Sequence, residues 1–297
     1  MHLQAKHPGH EFSNTSKIPF KFFTQRNSPA PFGYDYYVSL PPAYDDDQSG
    51  SYPLILFLHG AGESQRGMNE SYASLRHGVP KIILCYDAWK SSNTEGDASI
   101  RIPLAKRLRE KFPNGGEMDE SDSTDLSSAP VSKEVSQLVA ENFITVTPSL
   151  NLDDGLGWNA SVLSALLDEI IPAFRIDTTR IHVTGFSMGG YGTWNLGVQE
   201  PDRFASLLPI CGGGDPILVR NIKHVPQWVH HGDLDEIVPV SASTKIVDAL
   251  KKVEADDVKL TRYPDLAHDC WTVAYNNVEV WRWMLKHRLR TTRDTAR

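Results

Sequence analysis

The residue of this chain best suited to covalent chemistry is the serine of Gly185-Phe-Ser-Met-Gly-Gly190. A short apolar run ending at Thr184 precedes the pattern, and a helix-like run from Tyr191 to Gln199 follows it. A Gly-x-Ser-x-Gly between a strand and a helix holds the serine hydroxyl above a sheet, and glycines relieve the crowding of so tight a turn. The positive end of the following helix favours developing negative charge. The pattern predicts that Ser187 is a nucleophile.

A serine hydroxyl is a weak nucleophile at neutral pH and needs a base, which in turn needs an orienting acid. At a strand-to-helix turn of this kind the acid follows the serine along the chain. Asp235 lies in the loop 232–239, directly after the apolar run 227–231, and is the predicted acid. Asp233 is the near alternative, although an aspartate there could instead bond the backbone N–H groups of the turn. Asp215 is a weaker alternative.

The base is expected after the last strand, and His268 occupies that position. It lies in the loop 263–271, between the apolar run 258–262 and the final helical pattern, from which it can reach back over the sheet to Ser187. The other ten histidines fit worse. Among them, eight lie in a predicted strand (His182), in the leading arm (His2, His7, His10), before the acid (His224, His230, His231) or deep in the last helix (His287).

Acyl transfer also needs N–H donors for the charge that develops on the carbonyl oxygen. The N–H of Met188, which follows the nucleophile, is the first predicted donor. The second is expected from the loop 59–63, where Ala61 is the first choice and Gly60 the second. His59 and Met188 are expected to contribute by packing and hydrogen bonding.

Three further side chains are expected to shape this site. An unpaired carboxylate beside an oxyanion hole opposes the developing charge, so Glu63 is expected to bond Arg66 or backbone. Trp158 and Trp271 are candidates for the walls of the substrate pocket, and their alternative role is in the core.

Metal and cofactor chemistry find little support in the sequence. The run 212–214 is not followed by the Gly-Lys-Ser/Thr of a phosphate-binding loop, and no Cys-x-x-Cys is present. His230 and His231 are neighbours in a predicted strand, so their side chains face opposite ways and do not share an ion. We therefore expect no metal site and no cofactor.

Apolar runs and helical patterns alternate along the chain, which predicts a mostly parallel sheet covered by helices on both faces. The run 53–58 is continuous and apolar, as in a central strand buried on both sides. The predicted strands are 33–40, 53–58, 143–147, 181–184, 206–210, 227–230 and 258–262, and the predicted helices are 162–174, 188–199, 242–253 and 272–285.

The chain is expected to form one domain over 1–297, with two peripheral segments. Residues 1–32 are predicted to be an irregular arm or an edge strand. Residues 87–142 are predicted to be an insertion, with a helix over 101–112 and a mobile acidic, serine-rich stretch over 114–130. A surface excursion is the simpler interpretation of this insertion and a lid the alternative.

Composition limits the partners. The 297 residues carry a net charge of −7, which argues against nucleic acid and anionic membrane surfaces. No run approaches the length of a membrane span, and no apolar signal segment opens the sequence, so a cytoplasmic protein is expected. Three scattered cysteines imply no disulfide framework. The expected partner is a small ester, and the oligomeric state stays open.

Taken together, these motifs and their order along the chain resemble the α/β-hydrolase superfamily. Within it the chain looks like the esterase group often labelled "predicted peptidase", related to phospholipase/carboxylesterase and polyhydroxybutyrate-depolymerase-like enzymes. The resemblance frames residues 33–86 and 143–287, and it implies carboxylic ester hydrolysis by Ser187, Asp235 and His268. The matching stretches are 54–63, 185–194, 209–215, 231–239 and 263–271.

The hypothesis is a serine esterase that works through an acyl-enzyme intermediate. A peptidase or amidase, or an acyltransferase, would use the same three residues. A catalytically silent binding module with this fold is the alternative from another class.

Overall fold

The computed structural model describes residues 19–46, 49–66, 70–92, 129–153 and 157–289, together with residues 100, 102 and 155. Over these residues an eight-stranded sheet forms, in the order β1-β2-β4-β3-β5-β6-β7-β8. β1 and β2 run antiparallel to their neighbours, and the others run parallel. The strands are β1 Lys21–Phe23, β2 Asp35–Ser39, β3 Tyr52–Leu58, β4 Ile144–Ser149, β5 Ile176–Phe186, β6 Ser206–Ile210, β7 Gln227–Gly232 and β8 Val258–Tyr263.

Helices cover both faces of the sheet and close a separate hydrophobic core on each. The first core includes side chains of α3, α4 and α5, and the second includes side chains of α1, α2, α6 and α7. This arrangement is the predicted α/β-hydrolase fold. The helices are α1 Gly78–Ser92, α2 Lys133–Asn142, α3 Ala160–Ile170, α4 Met188–Gln199, α5 Ser241–Lys252, α6 Trp271–Tyr275 and α7 Val278–Lys286.

The central strand β3 shows why the sheet needs both layers. Leu54 and Leu56 belong to one core, whereas Ile55 and Phe57 belong to the other, and all four side chains are fully buried. Side chains alternate across a strand, so a continuous apolar run has no face left for water. The prediction of a strand buried on both sides is confirmed here.

The prediction of one helix over 272–285 is wrong. The chain forms α6 and α7 instead, separated at Asn276 and Asn277. The side chain of Asn277 accepts a hydrogen bond from the N–H of Glu279 at 3.0 Å. Asparagine is a favoured N-cap, so Asn277 starts a new helix within an otherwise continuous helical pattern.

Helix α1 was not predicted. It starts at Gly78, which has a φ of +67° and at which a Cβ would overlap the ring of Phe57. Residues 78–86 are all buried, including the polar ones. A helix surrounded by protein has no polar stripe, so the periodicity that reveals surface helices is absent.

The two peripheral segments are only partly within the described residues. Inside the predicted arm, Lys21–Phe23 forms the edge strand β1. Inside the predicted insertion, α2 contributes Val135 and Val139 to the second core. The proposed helix over 101–112 and nearly all of the stretch 114–130 lie outside the described residues. In the part of the chain that the structure describes, no helix combines the length and apolarity needed to cross a membrane.

The sheet topology brings the predicted site residues to one edge. β3, β5, β7 and β8 run parallel, so their carboxyl ends meet on the same side. The loop 59–63 follows β3, and Ser187 follows β5. Asp235 and His268 follow β7 and β8 in turn.

Candidate active site

Ser187 occupies a strained turn between β5 and α4. Its backbone adopts a φ of 55° and a ψ of −120°, a conformation that side-chain-bearing residues rarely adopt. Its N–H donates to the carbonyl of Ile210 on the neighbouring strand at 2.9 Å. A Cβ at Gly189 would overlap the carbonyl oxygen of Leu58, so only glycine lets the turn approach β3 this closely.

A continuous chain of hydrogen bonds joins the three residues that the sequence predicts as nucleophile, base and acid. The Oγ atom of Ser187 lies 2.9 Å from Nε2 of His268, and Nδ1 of His268 lies 2.7 Å from Oδ2 of Asp235. A carboxylate only accepts, so Nδ1 carries the hydrogen and Nε2 is free to accept the serine proton. The geometry suits transfer of a proton away from Ser187.

Asp235 is held more firmly than His268, which it faces. Its side chain is fully buried, whereas that of His268 is 19% exposed. Its Oδ1 atom accepts the N–H groups of Ile237 and Val238 at 2.9 and 2.8 Å. Its Oδ2 atom faces Nε2 of His231 at 3.2 Å in addition to His268. Four donors therefore fix the orientation of this carboxylate.

The two alternative acids are engaged elsewhere. Asp233 pairs with Nε of Arg262 at 2.7 Å. Asp215 accepts the N–H of Ile217 at 2.8 Å and so stabilises its own turn. The backbone N–H groups of the acid loop are bonded by Asp235 and not by Asp233, the reverse of the division of roles considered from the sequence.

The loop 59–63 is fixed by the ring of His59. Its Nε2 atom accepts the N–H of Leu150 at 3.1 Å, so the hydrogen lies on Nδ1, which donates to the carbonyl of Gly60 at 2.7 Å. Burial lowers the pKa of His59 to about 4, which keeps the ring neutral. The indole N–H of Trp158 donates to the carbonyl of His59 at 3.1 Å. The loop is thereby anchored to β4 and to the start of α3.

Two of the three candidate oxyanion donors remain available to a ligand. Among the residues that the structure describes, the N–H groups of Met188 and Ala61 make no hydrogen bond with the protein, whereas the backbone of Gly60 donates to the carboxyl of Glu63. Ala61 is exposed, Met188 is partly exposed and Gly60 is buried. The close approach of Leu58 to Gly189 brings the ends of β3 and β5 together, as a shared oxyanion hole requires.

Glu63 has a different neighbour from the one predicted. Its Oε1 atom lies 3.5 Å from Nε2 of His77, while Arg66 bonds the carbonyl of Ala61 instead. Of the two partners predicted for Glu63, Arg66 is wrong and backbone is confirmed, because the chain turns the carboxyl inward, where it accepts backbone hydrogen bonds at Glu63 and Gly60, and leaves Arg66 near the surface. Burial raises the pKa of Glu63 to about 7, against the opposing charge of Arg76.

This raised pKa predicts a pH-dependent gain of stability for Glu63→Gln. The folded protein binds more protons at this site than the unfolded chain between pH 4.5 and about 7, so wild-type stability falls as pH rises through that window. Glutamine stays neutral. Relative to wild type, the variant is expected to gain about 2–3 kcal/mol between pH 5 and pH 8. Urea unfolding of both proteins at the two pH values measures this gain, and an equal difference at both would contradict it.

The two predicted pocket tryptophans lie in different surroundings. Trp158 packs edge-on against Tyr34 and His59 at centroid distances of 5.0 and 4.8 Å, behind the loop 59–63. Trp271 lies beside His268, with its ring perpendicular to the imidazole at a centroid distance of 5.3 Å and stacked on Phe186 at 4.3 Å. Within the described residues its buried indole N–H has no acceptor.

One group of potential metal ligands coincides with this site. Atoms of Cys211, Asp235 and His268 lie within 4.8 Å of one another. Both ring nitrogens of His268 are already bonded, so an ion there would have to break the chain of hydrogen bonds. His230 and His231 face different partners, since His230 bonds the hydroxyl of Tyr263 and His231 faces Asp235.

A family model described as Phospholipase/Carboxylesterase matches residues 144–280, slightly less than half of the chain. The match contains Ser187, Asp235 and His268. The protein named "Putative esterase NocK" from Nocardia uniformis subsp. tsuyamanensis is 25% identical over 166 residues, which are 54% of this chain and 46% of that protein. The chain covers less than half the length of the curated relatives it matches.

Solved structures show the same fold. A thermostable esterase superimposes with a TM-score of 0.64 at 24% identity, over 91% of this chain and 63% of that one. An acylaminoacyl peptidase from Pyrococcus horikoshii superimposes with a TM-score of 0.56 at 13% identity, over 94% of this chain and 43% of that one. Both the resemblance and the fold expected from the sequence are confirmed.

Proposed function

We propose that this chain, which belongs to the α/β-hydrolase superfamily, is a serine hydrolase that cleaves carboxylic esters through an acyl-enzyme intermediate. The observation that carries the proposal is the unbroken set of hydrogen bonds from Ser187 through His268 to Asp235. The match to carboxylesterases over 144–280 supports an ester as the substrate.

In the first step the Ser187 oxygen attacks the ester carbonyl while Nε2 of His268 takes the serine proton. The C–O bond to the alcohol breaks, and the alcohol leaves with the proton that His268 returns. Asp235 stabilises the imidazolium that exists between these two transfers. Water then repeats the sequence on the acyl-serine, so the second product is the carboxylic acid and the enzyme is restored.

The N–H groups of Met188 and Ala61 are the proposed donors to the oxyanion, with that of Gly60 as the alternative to Ala61. Each such donor contributes about 3–4 kcal/mol to transition-state stabilisation in a measured protease case. The anchoring of the loop by His59 supports this role, because donors help only when they are fixed before the charge develops. Trp271 is the proposed wall of the substrate pocket on the side of the base.

Exposed apolar side chains on the segments that follow β5 to β8 support an ester with an apolar acyl or alcohol group. The large hydrophobic side chains that are exposed in the described part of the chain all follow the carboxyl ends of β5 to β8, the edge that carries Ser187. Exposed apolar side chains on the segments that carry the candidate site residues are candidates for the surface that receives the apolar part of a ligand. They are Tyr191, Ile217, Leu218, Leu234, Ile237 and Val273.

The test is a panel of p-nitrophenyl esters of increasing acyl length, run beside matched p-nitroanilides. We expect ester hydrolysis with an initial burst of p-nitrophenol, kcat/KM values that rise from acetyl to octanoyl, and much slower anilide cleavage. Anilide cleavage at a comparable rate would favour the peptidase alternative, which the fold of the acylaminoacyl peptidases keeps open. Transfer to an added alcohol in preference to water would favour the acyltransferase, and an inert protein the binding module.

A further inference from the structure

A second histidine touches the carboxylate of Asp235. His231 is fully buried near the end of β7, and its Nε2 atom lies 3.2 Å from Oδ2 of Asp235 and 2.8 Å from the carbonyl oxygen of Val238. A carbonyl only accepts, so this nitrogen carries a hydrogen. That hydrogen is shared between Val238 and the same carboxylate oxygen that holds His268.

The other ring nitrogen of His231 has a partner that suits either charge state. Nδ1 lies 2.7 Å from Oγ of Ser243, and that oxygen lies 3.0 Å from the carbonyl of Gly212. With a neutral ring the hydroxyl donates to Nδ1, and with a protonated ring it turns to Gly212. Burial lowers the pKa of His231, although Val238 and Asp235 oppose this effect, so the neutral ring with its hydrogen on Nε2 is the working state.

We propose that His231 is a positioning residue that holds the carboxylate of Asp235 in the orientation that His268 needs. The inference rests on the proposed function, because it assigns a role within that proton-transfer chain. His231 donates to Oδ2, so this oxygen shares its negative charge between two imidazoles. Without His231 the whole of that charge faces His268, and the carboxylate is left with the two backbone donors on Oδ1.

A pH profile can report the effect of His231 on His268, because the other ionisable groups around Asp235 do not change charge near pH 7. Burial raises the pKa of Tyr191 and of Cys211, so both stay neutral near pH 7. His231 itself feels the charges of Asp235 and His268. The ionisable groups that face the carboxylate from the described elements around it are His231 on β7, His268 after β8, Tyr191 on α4 and Cys211 after β6.

The test compares His231→Leu and His231→Gln with His230→Leu as the matched control. His230 is the adjacent residue of the same strand, is equally buried and bonds Tyr263 instead of the acid. Rates of ester hydrolysis are divided by the fraction of protein that a serine-reactive phosphonate labels, so that loss of folded protein does not count as loss of turnover.

We expect His231→Leu to lower kcat/KM per labelled site roughly three- to tenfold and to move the acid limb of its pH profile upward by about half a pH unit. His231→Gln, whose amide can donate to Oδ2, is expected to recover most of the rate. His230→Leu is expected to keep the wild-type kcat/KM per labelled site and the wild-type acid limb, even if its thermal stability falls. A His231→Leu protein with the wild-type rate and acid limb, or one matched by His230→Leu, overturns the proposal.

A measurement without turnover separates this inference from the proposed function. The ¹⁵N chemical shifts of the imidazole rings report which nitrogen of His231 carries the hydrogen. We expect a neutral ring with its hydrogen on Nε2 at pH 7. A hydrogen on Nδ1 alone overturns the role of His231 even in an active esterase. Absence of labelling and turnover in wild type, with the expected ring state, contradicts the esterase and leaves this contact established.

Discussion

Replacing Ser187 by alanine is expected to lower kcat/KM for p-nitrophenyl esters by about four to six orders of magnitude. The hydroxyl that would form the acyl-enzyme is then absent, and His268 has no proton to take. Alanine keeps a Cβ at the same strained backbone, so the φ of 55° carries a similar cost in both proteins. The free energy of unfolding should change by no more than about 1 kcal/mol. Steady-state rates and urea unfolding measure the two effects.

Ser206→Ala is the matched control for this variant. The hydroxyl of Ser206 lies 2.8 Å from Nδ1 of His182, so the sheet holds a second serine–histidine pair of similar length. That pair lies between β5 and β6 in the interior, and burial lowers the pKa of His182 to about 3. Its loss should reduce stability and leave turnover per folded molecule unchanged. Retention of more than about one-hundredth of the wild-type rate by Ser187→Ala would remove Ser187 from the mechanism.

The three residues of the hydrogen-bonded chain could be predicted because their constraints are local and ordered. Each follows the end of an apolar strand, and parallel strands deliver their carboxyl ends to one edge. The sequence therefore placed Ser187, Asp235 and His268 together without knowledge of any distance. The structure brings them to within hydrogen-bonding distance of one another.

The surroundings of these residues depend on packing that the sequence does not reveal. Glu63 was expected to bond Arg66, three residues away, or backbone. The ionisable side chains beside it are instead those of His77 and Arg76, which directly precede α1, a helix that periodicity does not detect. His231 was considered only as a base or a metal ligand. Its position four residues before the acid is a signal in retrospect, but the contact with Asp235 requires the loop to fold back on β7.

Replacing Asp235 by asparagine is expected to lower kcat nearly as much as loss of the serine does, because of the hydrogen-bond donors that surround the side chain. Oδ1 receives the N–H groups of Ile237 and Val238, and Oδ2 receives those of His231 and His268. An amide NH₂ in either orientation faces two donors. When it faces His268, the ring must move its hydrogen to Nε2, and Ser187 then has no base. We expect a fall in kcat of about 10⁴-fold.

The four donors around this side chain also predict a loss of stability, because the two buried donors that face the amide NH₂ lose their acceptor. Asp235→Asn is expected to lower the free energy of unfolding by about 2–4 kcal/mol. Asp233→Asn is the matched control in the same loop. Its partner Arg262 is half exposed, so the change there should cost less than about 1 kcal/mol and leave kcat within about twofold. If the two variants lose rate and stability to the same extent, the acid must be sought elsewhere. If only Asp235→Asn loses rate and stability, the four donors that surround its side chain are the physical reason.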